Sequence, residues 1–192
     1  LLGSSNTATA ANGWGGLSVT VAGNLYENAG QRLPRVRFGK VHIFNNYLVG
    51  RIGYLGQYAP MTHQAMPPNR FLYGIGIGNF AKVFAENNGF EVEDAPGAPY
   101  GTGEKVDDSV MFFNWYGANA VVDGVLQYTY FYDSGTLLNG QPRSIASAAR
   151  AMAVTQGKPE LADTRTIWTP WSSYNYALLP SEQVKRQVRQ AA

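Results

Sequence analysis

Four basic side chains crowd one short segment, and no acidic residue offsets them. The segment from Gln31 to Lys40 reads QRLPRVRFGK and contributes Arg32, Arg35, Arg37 and Lys40. Guanidinium groups bind carboxylates and phosphates through paired hydrogen bonds. The segment by itself therefore favours a solvated or phosphate-binding basic face, with a surface for an acidic ligand as the alternative, which only a surrounding motif would favour.

The alternation of side chains along a strand bears on where these arginines point. Successive side chains of an extended strand face opposite sides of it. Val36 and Phe38 would then face a core, while Arg35 and Arg37 would face outward. Arg32 precedes Pro34 at a bend, so alternation does not fix its direction.

Other reactive groups are few. The chain has no cysteine, which excludes disulfides, thiolate metal sites and a cysteine nucleophile, and its two histidines exclude a metal site built from several histidines. His42 alternates with apolar neighbours and is predicted to point outward as a structural hydrogen-bonding residue. His63 has no identifiable partner. The GIGIG run at 74–78 is not followed by a helix, so it predicts a tightly stacked strand rather than a nucleotide-binding loop.

Composition and charge narrow the class of protein. Charged residues make up 15% of the 192 residues, against about 25% in an average globular chain. No segment approaches the roughly 18 apolar residues of a membrane-spanning helix, and a net charge of +2 is too small to indicate nucleic acid as a partner. The acidic stretch from Glu86 to Asp108 predicts a solvated excursion of the chain, with a bound cation as the alternative.

A repeated strand-and-turn pattern predicts the architecture that positions these groups. Short apolar runs end in an asparagine at Asn24, Asn46 and Asn88. The intervals correspond to one and about two repeats of a period of 20 to 25 residues, which is typical of a solenoid whose rungs stack on one another. Asparagine tolerates the left-handed backbone of a turn and can hydrogen-bond to its counterpart in the next rung.

The C-terminal part of the chain follows a different pattern. Ser144 to Thr155 is rich in alanine with Ser144 available as N-cap, and Pro180 leads into a second helix in which Val184 and Val188 share one face. Both helices are predicted to pack over the solenoid and cap its open edge. Between them, Trp168, Trp171, Tyr174 and Tyr176 form an aromatic run predicted to lie along the outside of the rungs.

Residues 19–48 contain a motif that resembles the pectate lyase family of polysaccharide lyases. The family signature R-x-P-R-x-R-x-G-x-x-H-x-x-N-N corresponds here to Arg32, Pro34, Arg35, Arg37, Gly39, His42, Asn45 and Asn46. Further similar segments are LLGSS at 1–5, AENNGFE at 85–91 and YNYALLP at 174–180. The resemblance implies a right-handed parallel β-helix, with residues 1–192 as the C-terminal portion of one such domain.

The same resemblance implies an activity and roles for three arginines. Members of the family cleave α-1,4-polygalacturonate by β-elimination and are secreted. By correspondence, Arg32 would be the base that removes the C5 proton, and Arg37, with Arg35 beside it, would bind substrate carboxylates. Because the reference pKa of arginine is about 12.5 to 13.8, such a base implies an alkaline optimum.

Two departures from the family pattern leave alternatives open. Ala22 and Gly23 stand where the family usually has two histidines, a form closer to pectin lyases, which act on methyl-esterified substrate without calcium. The calcium that the family uses is expected to be held by aspartates upstream of Leu1, which implies an N-terminal half of the same β-helix as partner. A non-catalytic module that binds acidic polysaccharide is the third possibility.

Overall fold

The computed structural model describes residue 2 and residues 17–27, 29–52, 71–93, 106–122 and 124–192. The regular structure consists mainly of short strands, with two α-helices near the C-terminus. The strands are β1 Ser18–Ala22, β2 Leu25–Glu27, β3 Arg35–Val36, β4 Lys40–Phe44, β5 Tyr47–Arg51, β6 Ile75–Ile77, β7 Lys82–Glu86, β8 Gly89–Glu93, β9 Phe112–Asn114, β10 Ala120–Val122, β11 Val125–Gln127, β12 Tyr130–Ser134, β13 Thr136–Leu138 and β14 Gln141–Arg143. The helices are α1 Ile145–Thr155 and α2 Ser181–Ala191.

Apart from the separate antiparallel pair β10-β11, the strands distribute into three sheets, so the chain winds as a parallel β-helix. The first sheet has the order β3-β6-β9, the second β1-β4-β7-β12, and the third β2-β5-β8-β13 with β14 added antiparallel at its edge. Neighbouring strands in each sheet are parallel apart from β13 and β14. The predicted solenoid is confirmed, and Leu2 forms a parallel bridge with Val36 as the resemblance of LLGSS to an adjacent rung implies.

Inward-facing residues stack in register to form one core. In the first sheet Val36 lies beside Ile77, and in the second Val41 lies beside Val83, which lies beside Phe131. All five are fully buried. Because each rung contributes only one or two residues to each layer, the core is continuous along the helix axis and no rung buries its apolar face alone.

A two-residue turn repeats between the second and third sheets. Its first residue has a left-handed backbone, with φ of 67° at Gly23, 51° at Asn45, 48° at Asn87 and 64° at Gly135. The side chains of the second residues form a ladder of hydrogen bonds from rung to rung. Asn24 Nδ2 donates to Asn46 Oδ1 at 2.9 Å, and Asn46 Nδ2 donates to Asn88 Oδ1 at 3.0 Å. The predicted ladder is confirmed, but the left-handed residue is the one before each ladder asparagine.

Helix α1 closes the core after the last rung. Ser144 accepts the Ser147 N–H as predicted for an N-cap, and Asp133 at the end of β12 accepts the N–H groups of Ile145 and Ala146 at 2.9 and 2.8 Å. A carboxylate satisfies the otherwise unpaired N–H groups of a helix N-terminus. The apolar side of α1, which includes Ala149, joins the main core.

Helix α2 does not cap the open edge, contrary to the prediction for both helices. Val184 and Val188 are buried as predicted, but they pack against Tyr47, on the outer side of the third sheet. Gly89 in the next rung leaves room for the Tyr47 ring, since a Cβ there would lie 2.6 Å from it. The helix covers the flank of the solenoid because its narrow apolar stripe packs on Tyr47, with Leu25, Val49 and Leu179 beside it.

The aromatic run lies along the outside of the rungs, as predicted. The Trp171 ring meets Phe84 edge-on with centroids 5.2 Å apart, and Tyr176 lies 5.1 Å from Phe44. Phe44 and Phe84 both project from the outer side of the second sheet. In the part of the chain that the structure describes, no helix is long and apolar enough to cross a membrane.

Residues 86–93 of the acidic stretch lie in β7 and β8 and the turn between them rather than in the predicted solvated excursion, whereas Asp107 near its end is exposed. Glu86 ends strand β7 and is only 5% exposed, and Glu91 and Glu93 belong to strand β8. The rest of that stretch at 94–105, together with His63 and residues 3–5, lies outside the described residues.

Candidate active site

The first sheet presents two of the three predicted arginines on its outer side. Arg35 pairs in register with Gly76 of β6, which pairs with Phe113 of β9. Phe113 is 41% exposed, whereas Val36, the neighbour of Arg35, is fully buried. The predicted alternation is thereby confirmed: the arginines point away from the core.

Two glycines of the GIGIG run give the arginine stems room to lie across the next rung. A Cβ on Gly76 would sit 2.9 Å from Arg35 Cγ, and a Cβ on Gly78 would sit 2.6 Å from Arg37 Cγ. Such contacts are too short for carbon atoms. The run is therefore a tightly packed strand, as predicted, and its glycines leave space for the arginine side chains of the preceding rung.

Arg35 is covered by an aromatic group two rungs away. Its guanidinium carbon lies 4.2 Å from the Trp115 ring centroid, and only 5% of the residue is exposed. The indole N–H of Trp115 donates to the Tyr73 hydroxyl at 3.0 Å, which fixes the ring plane. Stacking on an aromatic face holds the guanidinium plane in one orientation. Sequence reasoning did not identify Trp115, which is 80 positions away in the chain.

Arg37 is the more unusual of the two. The residue is only 9% exposed, yet its Nε atom has no hydrogen-bond partner, and none of the described residues forms an ion pair or hydrogen bond with its guanidinium. A buried charge without a partner is strongly unfavourable. An anionic ligand would supply the missing partner.

Arg32 lies before this strand at a bend. Its backbone φ is 64°, a left-handed value that a non-glycine residue adopts at a cost of about 1 kcal/mol. The bend is anchored to the next rung, since the Leu33 N–H donates to the Gly74 carbonyl at 2.8 Å and the Gly76 N–H donates to the Pro34 carbonyl at 2.9 Å. The Arg32 side chain is exposed and makes no hydrogen bond within the described residues.

His42 belongs to a separate buried cluster on the second sheet. It lies 2.9 Å from Glu86 through Nε2 and 2.6 Å from the Tyr174 hydroxyl through Nδ1, and the Tyr176 hydroxyl donates to the same Glu86 at 2.6 Å. Burial, and then the hydrogen bond to Glu86, raise the pKa of Tyr176. The cluster fastens the C-terminal aromatic run to the sheet, which confirms His42 as a structural hydrogen-bonding residue.

A calcium site is not formed by the described residues. Within the ranges that the structure covers, no group of three or more His, Asp or Glu side chains converges to hold a metal ion. The acidic residues of β7 and β8 are instead engaged with His42, Lys185 and Arg51. These side chains therefore do not fit a resident calcium ion.

Comparison with known proteins decides the family. The family model described as pectate lyase matches residues 1–192. The chain belongs to the pectate lyase family. A pectate lyase of Bacillus subtilis strain 168 is 34% identical over 188 residues, which is 98% of this chain and 33% of that protein. Pectate lyase A of Dickeya chrysanthemi is 27% identical over 85% of this chain and 34% of its own length.

Solved pectate lyases share the fold. The structure of a pectate lyase from Acidovorax avenae subsp. citrulli superposes with a TM-score of 0.68 at 26% identity, over 90% of this chain and 32% of that one. A pectate lyase bound to a hexasaccharide superposes with a TM-score of 0.57 at 28% identity, over 88% of this chain and 31% of that one. The chain thus spans about a third of the length of these relatives.

Proposed function

We propose that this chain supplies the arginine-bearing rungs of a pectate lyase-like polysaccharide lyase that cleaves α-1,4-polygalacturonate by β-elimination. The observation that carries the proposal is Arg37: a guanidinium only 9% exposed on the outer side of the first sheet, without a partner among the described residues. Polygalacturonate offers one carboxylate per sugar. A carboxylate at Arg37 would form paired, charge-assisted hydrogen bonds and remove the penalty of the unpaired charge.

Arg35 is proposed as a second carboxylate-binding residue. It leaves the same side of the strand two residues earlier, and Trp115 holds it in a stacked orientation at 4.2 Å. Two arginines fixed by the rung beneath them would bind acidic sugars with little loss of side-chain entropy. Rigid positioning of this kind favours a reacting geometry as well as affinity.

Arg32 is proposed as the base. In a β-elimination a neutral guanidine takes the proton from C5, the C4–O bond breaks, a double bond forms between C4 and C5, and the departing glycosidic oxygen receives a proton. Arg32 reaches into solvent from a left-handed bend beside the carboxylate-binding strand, which is the position expected of a group that meets substrate. No step is assigned to calcium, because the described residues do not fit it.

A non-catalytic module that binds acidic polysaccharide is the second candidate. It is favoured by the exposure of Arg32, because an arginine acts as a base where burial or neighbouring cations disfavour its charged form. Binding through Arg35 and Arg37 would persist in such a module without elimination. Action on methyl-esterified pectin is the alternative that Ala22 and Gly23 suggest.

Product formation separates these functions. The proposed upstream half of the β-helix is co-expressed with this chain, and unsaturated products are followed by ultraviolet absorbance on polygalacturonate and on fully methylated pectin, each with added calcium and with a chelator. Product from polygalacturonate that the chelator abolishes supports a calcium-dependent pectate lyase. Chelator-resistant product from pectin supports the pectin lyase alternative, and binding of polygalacturonate without product supports the module.

Secretion of the protein is also proposed, on the family resemblance alone.

A further inference from the structure

Two lysines lie side by side on the second sheet, away from the strand that carries Arg35 and Arg37. Lys40 opens strand β4 and pairs in register with Lys82, which opens strand β7. Neighbouring strands of a sheet are about 4.8 Å apart, and residues in register point to the same side. Both lysines share the outer side with His42 and Phe84, and both are half-buried.

Among the described residues, no acidic side chain pairs with either lysine. None of the ion pairs or side-chain hydrogen bonds among the described residues includes either ammonium group. Burial, and then the charge of Lys40, lower the pKa of Lys82. Residues 1–16 contain no Asp or Glu. Like charges this close, with no counterion among the described residues, create a local positive potential that favours an anion.

A cavity opens beside Lys40. Its volume is about 280 Å³, and Lys40, His42, Trp168, Ser173 and Tyr174 line it together with the start of β1. One wall is the half-buried indole of Trp168, and the other lining residues include the Lys40 ammonium, the His42 ring and four residues that carry hydroxyl groups. Flat aromatic faces, hydroxyls and one cation are the complement of a sugar that carries a carboxylate.

Internal hydrogen bonds fix the walls of the cavity. The indole N–H of Trp168 donates to Ser173 Oγ at 3.1 Å. The Tyr174 hydroxyl lies 2.6 Å from His42 Nδ1 and 2.7 Å from Thr20 Oγ1. The cavity is therefore preorganised, and binding would order few side chains.

We propose that this cavity is a second binding site for an acidic sugar, distinct from the arginine-bearing strand. The carboxylate would meet Lys40, the ring would lie against Trp168, and Lys82 would strengthen the field at Lys40 from the neighbouring rung. A volume of about 280 Å³ suits one sugar unit rather than a long segment. The identity of the sugar as a galacturonate rests on the proposed function. A second site of this kind would hold the polymer on the flank of the solenoid while another segment occupies the first sheet.

The test is a nuclear magnetic resonance titration of the uniformly ¹⁵N-labelled chain with trigalacturonate in calcium-free buffer. We expect the indole N–H of Trp168 to shift and saturate. In Lys40→Ala the dissociation constant read from this signal should rise about tenfold, the effect of losing one charge-assisted hydrogen bond. Lys82→Ala should weaken binding less. Lys185→Ala, which removes an equal charge from helix α2, should leave it unchanged and is the matched control.

Further titrations identify the ligand class that the cavity binds and test this proposal separately from the proposed function. Neutral galactotriose should not shift Trp168, and inorganic phosphate should affect the lysines without the indole. Arg37→Ala should leave the Trp168 titration intact, whether or not the first sheet binds substrate. An unshifted indole with trigalacturonate, or an equal dissociation constant in Lys40→Ala, would overturn the second site. Loss of lyase activity in Arg37→Ala with the Trp168 signal retained would bear only on the proposed function.

Discussion

Replacing Asn46 by alanine should destabilise the β-helix more than any other single change in the asparagine ladder. Asn46 is fully buried in the middle of the row. Its Oδ1 accepts from the Asn24 N–H and Nδ2 at 3.1 and 2.9 Å, and its Nδ2 donates to Val21 O, Phe44 O and Asn88 Oδ1 at 2.8, 3.1 and 3.0 Å. The substitution removes all five bonds at once.

The magnitude follows from which partners are left unsatisfied. Phe44 O still accepts the Gly23 N–H, and Asn88 Oδ1 still accepts the Asn46 N–H. The backbone N–H of Asn24 loses its partner. A net contribution of about 0.5 to 1.5 kcal/mol per hydrogen bond, reduced for the two acceptors that keep a donor, predicts a loss of about 3 kcal/mol. Asn24→Ala removes only two side-chain bonds at an exposed end of the row, so about 1 kcal/mol is expected.

Urea unfolding followed by circular dichroism measures both losses in free energy of unfolding. The comparison is valid if the slope with denaturant is unchanged, because then only stability differs. Equal losses for Asn46→Ala and Asn24→Ala would refute the reasoning, since they would show that the buried ladder contributes no more than a surface hydrogen bond.

Two further predictions concern the buried hydroxyl that ends this row and an ion pair of the third sheet. Thr136 is 1% exposed and its hydroxyl has no hydrogen-bond partner among the described residues, so Thr136→Val should raise the free energy of unfolding by about 1 kcal/mol; a loss of stability in thermal melts would contradict this. Hydrogen bonds from Lys185, and then from Tyr47, lower the pKa of Glu91 from 4.5. Their stabilisation is present above pH 4.5 and is lost as pH falls through the lower folded-state pKa. The loss of stability on acidification should therefore be smaller in Lys185→Ala than in the wild type. If the melting temperatures of the two proteins depend on pH in the same way, the Lys185–Glu91 pair does not contribute to stability.

Local patterns in the sequence predict the parts of the fold that local rules determine. The spacing of Asn24, Asn46 and Asn88 predicts the ladder because each rung repeats the same turn. Ser144 predicts the start of α1, and Val184 with Val188 predicts the buried face of α2, because capping and helical periodicity act within a few residues. The side of the solenoid on which α2 docks depends on Tyr47 and could not be read from the helix itself.

Contacts between rungs account for the errors. The charges near Glu86 in the sequence predict a solvated stretch, but its partners are His42, 44 residues away, and Tyr176, 90 residues away. The burial of Arg35 depends on Trp115 in the same way. In a parallel β-helix, lateral neighbours are separated by a whole turn of chain, so a window of adjacent residues does not contain them.

The kinetic constants of Arg32→Lys on polygalacturonate test the central claim most directly. The variant is measured in the β-helix assembled with its proposed upstream half, with circular dichroism to confirm folding. Arg51→Lys is the matched control, because Arg51 is exposed and pairs with Glu93 on the third sheet. If Arg32 is the base, Arg32→Lys should lower kcat by about 10²- to 10⁴-fold and leave KM nearly unchanged, while Arg51→Lys should keep both constants and the wild-type rate should rise into the alkaline range. A folded Arg32→Lys variant that keeps most of its kcat would contradict the account.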